Sequence, residues 1–310
     1  MNDPSYRALY KTGTLENRIH QALDLLSDCR LCPRECGVDR TSGETGFCST
    51  GRYARVASFG QHFGEESPLV GRNGSGTIFF SSCNLLCTFC QNFDISHQAS
   101  GEEVGPRELA SMMISLSESG CHNINFVTPS HVVPQILEAL PAAIEGGVRV
   151  PLVFNTGTYD HVSTLQLLDG IFDVYMPDFK FWDESYAQKF CSASDYRDVA
   201  RNAIREMHRQ VGDLQMDEDG IALRGLLVRH LVMPGGIAGT EQIMHFLAEE
   251  ISKHTYVNVM DQYHPCYRAH DDALIDRRIT REEYMSAVES ARNAGLTRLD
   301  RRTSFRIQLF

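Results

Sequence analysis

The sequence has no apolar run that approaches the roughly 18 residues needed to cross a membrane. Basic residues are in the minority, with 29 Lys and Arg against 40 Asp and Glu, a formal net charge of −11. Because phosphate binding needs a clustered basic surface, this balance argues against a nucleic-acid partner. Residues 1–6 have neither the basic end nor the apolar stretch of a signal peptide, so the expected location is cytoplasmic.

Cysteine is abundant, with ten residues in 310. In a reducing compartment such residues are more often metal ligands or buried thiols than disulfides. Three of them, Cys121, Cys191 and Cys266, stand alone and are expected to be small buried side chains. The others form a four-cysteine group and a three-cysteine group: Cys29, Cys32, Cys36 and Cys48, then Cys83, Cys87 and Cys90.

The chain divides into two predicted regions, residues 1–75 and 76–310. The first has an amphipathic helix over 1–26, then a Cys-rich segment of weak periodicity that predicts a small metal-stabilised lobe. In the second, strands and helices alternate, which predicts an α/β fold with a parallel sheet. The predicted strands cover 77–81, 123–128, 152–155, 172–176, 226–232 and 257–260, and the predicted helices 106–119, 131–144, a segment through 165 and 168, 184–211 and 240–253.

Six strand–helix units, rather than eight, predict an incomplete barrel. The turn residues at 217–220 predict a small hairpin insertion. The C-terminal tail is expected to contain a helix at 280–294 and an edge strand at 304–309.

The three-cysteine group, CNLLCTFC at residues 83–90, directly follows the first predicted strand of the second region. This is the face where barrel enzymes place their active sites. A cubane iron–sulfur cluster normally takes four thiolates, so three leave one iron open to a ligand. The pattern therefore favours a catalytic cluster. The alternative from the residues is a three-thiolate zinc site completed by His97.

The spacing, with Phe89 before the third cysteine, resembles the signature of the radical S-adenosylmethionine (SAM) superfamily. The flanking residues 76–83 and 91–92 are similar to the pyruvate formate-lyase activating enzyme-like family, and the resemblance extends over residues 29–264. It implies a partial (β/α)6 barrel of radical SAM type, with a [4Fe-4S] cluster on Cys83, Cys87 and Cys90. Reductive cleavage of SAM would give methionine and a 5′-deoxyadenosyl radical that abstracts hydrogen.

The same resemblance implies SAM-binding residues at the ends of the second and third strands. Where many radical SAM enzymes carry Gly-Gly-Glu, this chain has Thr128-Pro129-Ser130, so the Thr128 carbonyl or the Ser130 hydroxyl would bind the SAM ammonium. The alternative is a helix start capped by Ser130. Asn155 and Thr156 match an acidic residue followed by Thr, or form an ordinary turn.

Further matches lie at later strand ends. Asp178 and Lys180 resemble a Met-x-Asp-x-Lys motif in which the lysine contacts the SAM carboxylate and the aspartate positions the ribose or a cation; the alternative is an exposed pair on a loop. Arg229 either faces the site or has a structural role. His264 would lie beside the nucleoside or be an ordinary polar residue, and the resemblance adds Phe89 to the cofactor-binding set.

The four-cysteine group offers four soft ligands and no open position. This suits a structural zinc ion or a second [4Fe-4S] cluster, and we lean to zinc because the lobe is too small to fold alone. Absence of any metal is the remaining alternative.

The resemblance also implies an electron donor such as flavodoxin or ferredoxin. The substrate, a protein or a small molecule, is not defined by the sequence. Activation of a glycyl radical enzyme is one candidate role, but the 75-residue segment before the motif is absent from short dedicated activases. The alternative of another class is a non-catalytic iron–sulfur or zinc protein that carries electrons or acts as a scaffold.

Overall fold

The structure, a computed structural model, describes residues 3–300, and these form a mixed α/β fold with a nine-stranded sheet. The strands are β1 (Ala54–His62), β2 (Ser75–Phe80), β3 (Glu102–Val104), β4 (Ile124–Val127), β5 (Leu152–Thr156), β6 (Val174–Pro177), β7 (Gln215–Met216), β8 (Ala222–Leu231) and β9 (Tyr256–Met260). The helices are α1 (Ser5–Lys11), α2 (Thr14–Asp24), α3 (Ser67–Val70), α4 (Phe93–Ser96), α5 (Pro106–Glu118), α6 (Val133–Glu145), α7 (Val162–Leu167), α8 (Glu184–Cys191), α9 (Tyr196–Val211), α10 (Thr240–Phe246) and α11 (Arg281–Asn293).

Six of the strands pair in parallel, in the order β2-β4-β5-β6-β8-β9. On the outer side of β2 lies antiparallel β1, which carries β3, and β7 pairs antiparallel with β8. The sheet is open, since within residues 3–300 strand β9 pairs with no strand except β8. Because the six strands are parallel, their carboxyl ends meet at one edge of the sheet. Most of the candidate site residues lie at that edge.

The parallel strands lie in the core. Every residue of β5 and of β9 is buried, as expected for strands covered on both faces. An aromatic cluster joins neighbouring strands, with Phe154 contacting the rings of Phe172 and Tyr175 edge to face. Burying each such side chain contributes about 1.5–3 kcal/mol to stability. The strand ends are therefore held on a rigid base.

Three helix predictions were wrong in detail. The helix expected over 1–26 is two helices, because Gly13 adopts a left-handed φ of 74° between α1 and α2. The helix expected over 184–211 is also divided, since Ser192 has a left-handed φ of 53° at the end of α8. The helix expected over 240–253 is α-helical only to Phe246 and ends in a π-helical turn, Leu247–Ile251.

The segment 27–75, in which the sequence has only weak periodicity, contains the nine-residue strand β1 and the short helix α3. Burial along β1 alternates only at its start, which explains why its pattern was weak. The hairpin predicted around 217–220 is confirmed by the β7–β8 pairing. The edge strand predicted at 304–309 lies outside the described residues. Among residues 3–300, no helix has both the length and the apolar composition needed to cross a membrane.

Candidate functional site

The three-cysteine loop follows β2 and has an unusual backbone. Ser82 and Leu86 adopt left-handed φ values of 72° and 50°, which is rare for residues other than glycine and most unusual for one as bulky as leucine. Neighbouring segments hold the loop, because the Ser82 amide donates to the Ile95 carbonyl at 2.8 Å and the Thr88 amide to the Phe190 carbonyl at 2.9 Å. Such conformations persist only where the surroundings enforce them, and they concentrate at functional sites.

The three thiols of this loop are close enough to influence one another. Burial, followed by the neighbouring Cys87, raises the pKa of Cys83 to about 12. The pKa of Cys87 is raised well above its ordinary value, first by a hydrogen bond from the Cys191 thiol, whose sulfur lies 3.3 Å from the Cys87 sulfur. Burial also raises the pKa of Cys90, which accepts a hydrogen bond of 3.2 Å from the Ser96 hydroxyl.

As they stand, the side chains of residues 3–300 include no group of three or more His, Cys, Asp or Glu arranged to hold a metal ion. His97, the alternative zinc ligand, has its Nε2 atom 3.1 Å from the Cys87 carbonyl oxygen. Its ring packs against Tyr267, with the ring centroids 4.4 Å apart. The imidazole is thus engaged by the backbone and by an aromatic ring.

A cavity of about 560 Å³ opens beside the three-cysteine loop. Its lining includes Cys87, Phe89 and Cys90 from the loop, and it continues along the carboxyl ends of the parallel strands. This volume falls within the range of about 300–1,000 Å³ that is usual for small-molecule sites. The strand-end residues that line it are Asn155, Asp178, Lys180 and Arg229.

Asp178 is the centre of the charged groups in this cavity. One of its oxygens accepts from Lys180 Nζ at 2.9 Å and the other from Arg229 Nε at 2.6 Å. Burial opposes ionisation of Asp178, but Arg229 and Lys180 bring its pKa below the ordinary value. Asp178 and Lys180 side chains are 17% and 19% exposed, so they are not the exposed loop pair considered above. Arg229 also donates to Asn155 Oδ1 at 2.7 Å.

Lys180 is held by the Asp178 carboxylate and by a hydrogen bond of its own backbone. Its backbone amide donates to the Tyr196 hydroxyl at 3.0 Å, and that hydroxyl lies 2.8 Å from the Asp178 carbonyl oxygen. Burial opposes the charge of Lys180, but Asp178 and then Cys87 raise its pKa well above the ordinary value. The cavity therefore presents a positioned ammonium group beside the three-cysteine loop.

Four residues predicted to bind SAM do not line this cavity: Thr128, Ser130, Thr156 and His264. Ser130 is buried and its hydroxyl lies 3.0 Å from that of Thr156, which in turn donates to Asp160 at 2.7 Å. His264 lies just outside, with Nδ1 3.3 Å from Gln91 Nε2. Ser130, Thr156 and His264 are thus engaged by neighbouring groups, and the Thr128 amide donates to the Asn155 carbonyl at 2.9 Å. The cofactor-binding roles of these four residues stay predictions.

Two residues missed by the sequence analysis lie in the cavity wall. Glu65 and Glu66 follow β1 and are almost fully buried, with side chains 7% and 5% exposed. The His62 imidazole has its Nδ1 3.3 Å from Glu65, and Arg229 Nη1 lies 3.7 Å from Glu65 and 3.8 Å from Glu66. Two adjacent glutamates a few residues after a strand were the available signal, but this signal could be read only if β1 was recognised.

The four cysteines of the other group line one small, enclosed space. The chain is tightly packed there, since a Cβ atom at Gly46 would lie only 2.6 Å from the Cys36 sulfur. Burial raises the pKa of Cys32 to about 12, with smaller contributions from Cys48 and Cys29. The sequence prediction that these four residues meet is consistent with this placement.

A buried arginine accompanies the four-cysteine group. Arg40 is 1% exposed, and its Nη1 donates to the His131 carbonyl at 2.9 Å and lies 3.9 Å from the Cys29 sulfur. A buried guanidinium needs a compensating negative charge or several acceptors. Thiolates in this space would supply that negative charge.

The two cysteine groups are joined through hydrogen bonds. Arg34, within the four-cysteine segment, donates to the Asn84 carbonyl at 2.9 Å and to the Cys191 carbonyl at 3.0 Å. Its guanidinium also stacks on the ring of Phe47, 3.8 Å from the centroid. The segment is thereby joined to the three-cysteine loop at Asn84 and to the neighbouring Cys191.

No protein-family model matches the sequence. The chain is similar to the uncharacterized protein MJ0674 of Methanocaldococcus jannaschii, with 32% identity over 303 residues that cover 95% of this chain and 82% of that protein. The name of that relative states no activity, substrate or cofactor. The extent of the match nevertheless shows kinship along nearly the whole chain, and the protein belongs to the same family as MJ0674.

Proposed function

We propose that the protein is a radical SAM enzyme whose Cys83, Cys87 and Cys90 bind a [4Fe-4S] cluster. The observation that carries this proposal is that the three-cysteine loop, at the carboxyl end of β2, borders a cavity that contains the Asp178–Lys180 pair. When bound, the cluster would supply the electron that cleaves SAM to methionine and a 5′-deoxyadenosyl radical, which abstracts hydrogen from the substrate.

The fold supports a specific architecture for this enzyme. Six consecutive parallel strands in an open sheet suit a partial (β/α)6 barrel, as the resemblance implies. In such barrels the reacting groups lie at the carboxyl ends of the strands. Asn155, Asp178 and Arg229 lie at or near three of these ends and line the cavity.

The side chains around the loop fit the chemistry of the cluster. Three thiols lie on one short loop, and hydrogen bonds from the Cys191 thiol and the Ser96 hydroxyl reach two of the sulfurs. Hydrogen bonds to sulfur ligands are one of the means by which proteins set the reduction potentials of such clusters. The nearby positive charge of Lys180 would favour the thiolate form of Cys87.

Lys180 has the clearest role in binding SAM. Its ammonium is mostly buried and oriented by Asp178, so it would bind the SAM carboxylate beside the loop. Arg229 and Tyr196 hold Asp178 and the backbone of this turn in place. Thr128 and Ser130 do not line the cavity, so they would contribute to SAM binding less directly, through the shape of the turn after β4.

For the four-cysteine group we propose a structural metal, with zinc preferred over a second [4Fe-4S] cluster. Four thiols in an enclosed space leave no position for a substrate, which is typical of structural zinc sites. The buried Arg40 would offset the negative charge of a tetrathiolate centre. All ten cysteines are free thiols, which suits a reducing, cytoplasmic setting. We propose an electron donor such as flavodoxin or ferredoxin because the cluster must be reduced before it cleaves SAM.

The test is anaerobic reconstitution with iron and sulfide, followed by reduction in the presence of SAM. We expect about four irons per chain at the three-cysteine loop and release of 5′-deoxyadenosine. Single Cys83→Ala, Cys87→Ala and Cys90→Ala variants should lose this cluster and the product. Cys121→Ala, a change at a buried cysteine outside both groups, is the matched control and should keep both.

Two outcomes would contradict the proposal. If any of the three variants kept the cluster and the normal rate of 5′-deoxyadenosine release, the ligand assignment would be wrong. A stable cluster that never cleaves SAM would favour the alternative, a non-catalytic iron–sulfur protein.

A further inference from the structure

The cavity beside the three-cysteine loop is acidic at its far side. Its lining has four carboxylates, Glu65, Glu66, Asp178 and Asp261, but only two permanently cationic side chains, Lys180 and Arg229. Lys180 is bonded to Asp178, which also takes the shortest contact of Arg229. The two glutamates therefore share a more distant nitrogen of Arg229, and Glu65 also has the His62 imidazole, with Nδ1 3.3 Å from its Oε1.

Glu65 and Glu66 enter the cavity from the end of the sheet opposite the cysteine loop. They follow β1, which runs antiparallel to β2, and His62 at the end of β1 pairs with Ser75 at the start of β2. The cysteine loop follows the other end of β2. A ligand group that reached the glutamates would thus lie deeper in the fold than one bound at the loop.

Glu66 has an unsatisfied oxygen. Its Oε1 accepts from Asn258 Nδ2 at 3.0 Å, whereas its Oε2 is buried and has no hydrogen-bond partner within residues 3–300. The nearest Arg229 nitrogen is 3.8 Å from Oε1, beyond hydrogen-bond distance, and two other nitrogens of that guanidinium donate to Asp178 and Asn155. A buried carboxylate oxygen without a donor is costly, by about 1–3 kcal/mol or more.

We infer that Glu65 and Glu66 form a subsite for a protonated amine of the substrate. An ammonium group supplies both the hydrogen-bond donor that Glu66 Oε2 lacks and the charge that two adjacent carboxylates share. Asn258 orients Glu66. The Arg229 guanidinium offsets part of the negative charge of the pair without a hydrogen bond to either carboxylate. The assignment of this ligand to the substrate rests on the proposed function, whereas the binding itself does not.

The source of the amine is either a free small molecule or a lysine side chain of a peptide. Both present the same primary ammonium. We therefore use n-butylammonium as the probe for the first source and a blocked lysine, Nα-acetyl-lysine amide, for the second. 1-Butanol and butyrate are the uncharged and anionic matches of similar size.

Binding of the four probes to the full-length chain is measured by ligand-detected NMR. We expect the ammonium probes to bind at least about 10-fold more tightly than 1-butanol or butyrate, as a buried charge pair predicts. A Glu65→Gln/Glu66→Gln variant should lose this preference, with about 10-fold weaker binding of n-butylammonium or more. Tighter binding of the blocked lysine indicates a peptide substrate, and tighter binding of n-butylammonium a small amine.

The matched control is Glu102→Gln/Glu103→Gln, which changes another adjacent pair on the exposed edge strand β3. It should alter n-butylammonium affinity by less than about 2-fold, as for exposed charges. If circular dichroism shows that the Glu65/Glu66 variant is unfolded, the four-probe comparison on the unaltered chain tests the inference by itself. Equal binding of all probes, or no binding of the ammonium probes, would overturn the inference.

A last arm separates this subsite from the SAM site. In anaerobically loaded protein, saturating SAM should leave n-butylammonium binding intact. Displacement of n-butylammonium by SAM would overturn the assignment to the substrate, because the glutamates would then hold the ammonium of SAM itself. If instead the protein neither assembled a cluster nor bound SAM, the proposed function would fail while amine binding remained measurable.

Discussion

The two cysteine groups use the same side chain in opposite surroundings. The four-cysteine group lines a small enclosed space whose charged neighbour is the buried Arg40. Two cysteines of the three-cysteine group border a cavity of about 560 Å³ that also contains Lys180 and Asp178. Thiolates alone do not distinguish a structural from a catalytic centre; open space and positioned charges beside them do.

The comparison also shows that the two regions are not independent. Arg34 extends from the four-cysteine segment to the carbonyl of Asn84, within the other loop, and to the carbonyl of Cys191, whose thiol contacts Cys87. His131, at the edge of the enclosed space, has Nε2 2.9 Å from the Ser81 carbonyl oxygen. A metal bound by the four-cysteine group would therefore also support the three-cysteine loop beside the cavity.

The largest expected effect separates the two proposed metal centres. A Cys83→Ala/Cys87→Ala/Cys90→Ala variant should lose all SAM cleavage, yet metal analysis should still find about one zinc or about four irons per chain. The reason is that the four-cysteine group makes its own enclosed site. A folded variant without any metal would show that the four-cysteine group is not a metal site.

The next largest expected effect is on SAM binding in the cavity beside the three-cysteine loop. Lys180→Ala should weaken SAM binding by about 2–5 kcal/mol, roughly 30-fold or more, since it removes one partner of a largely desolvated charge pair. Anaerobic titration of cluster-loaded protein with SAM measures it. As the control, Lys189→Ala removes an exposed lysine paired with Asp272 and should weaken SAM binding by less than about 1 kcal/mol. Equal affinities in the two variants would remove Lys180 from the SAM site.

The smallest expected effect on SAM binding comes from Asp160, which belongs to the buried network with Ser130 and Thr156. Burial raises the pKa of Asp160 to about 6 from 3.8, so the folded state favours the protonated acid. Between these values the unfolded chain loses its proton first, and the stability of the folded state falls as pH rises. The loss amounts to about 3 kcal/mol and is complete above the folded pKa.

An Asp160→Asn variant should therefore lack this loss. Denaturant unfolding at pH 4 and pH 7 should show that its advantage over the unaltered chain grows by about 2 kcal/mol, with little change in SAM affinity, because part of the loss has already occurred at pH 4. A large loss of SAM affinity in this variant would instead return Ser130 and Thr156 to the cofactor site.

Much of the fold followed from local patterns. The alternation of strands and helices after residue 76 predicted β2, β4, β5, β6, β8 and β9 to within a few residues, since buried parallel strands are continuous apolar runs. It did not predict β1, whose outer half is exposed and whose place depends on pairing with β2. The divided helices were also missed, since single left-handed residues such as Ser192 leave no periodic signal.

The sequence by itself determined which reactive groups the protein has. These are seven cysteines in two groups, with the three-cysteine group directly after a strand, and an Asp–Lys pair at another strand end. The tertiary structure decided which groups meet. It brought Cys191 to Cys87 across 104 residues and Asn258 to Glu66 across 192. It also turned Ser130 and Thr156 towards Asp160 and away from the cavity. Contacts at such separations depend on how whole elements pack, and no local pattern records them.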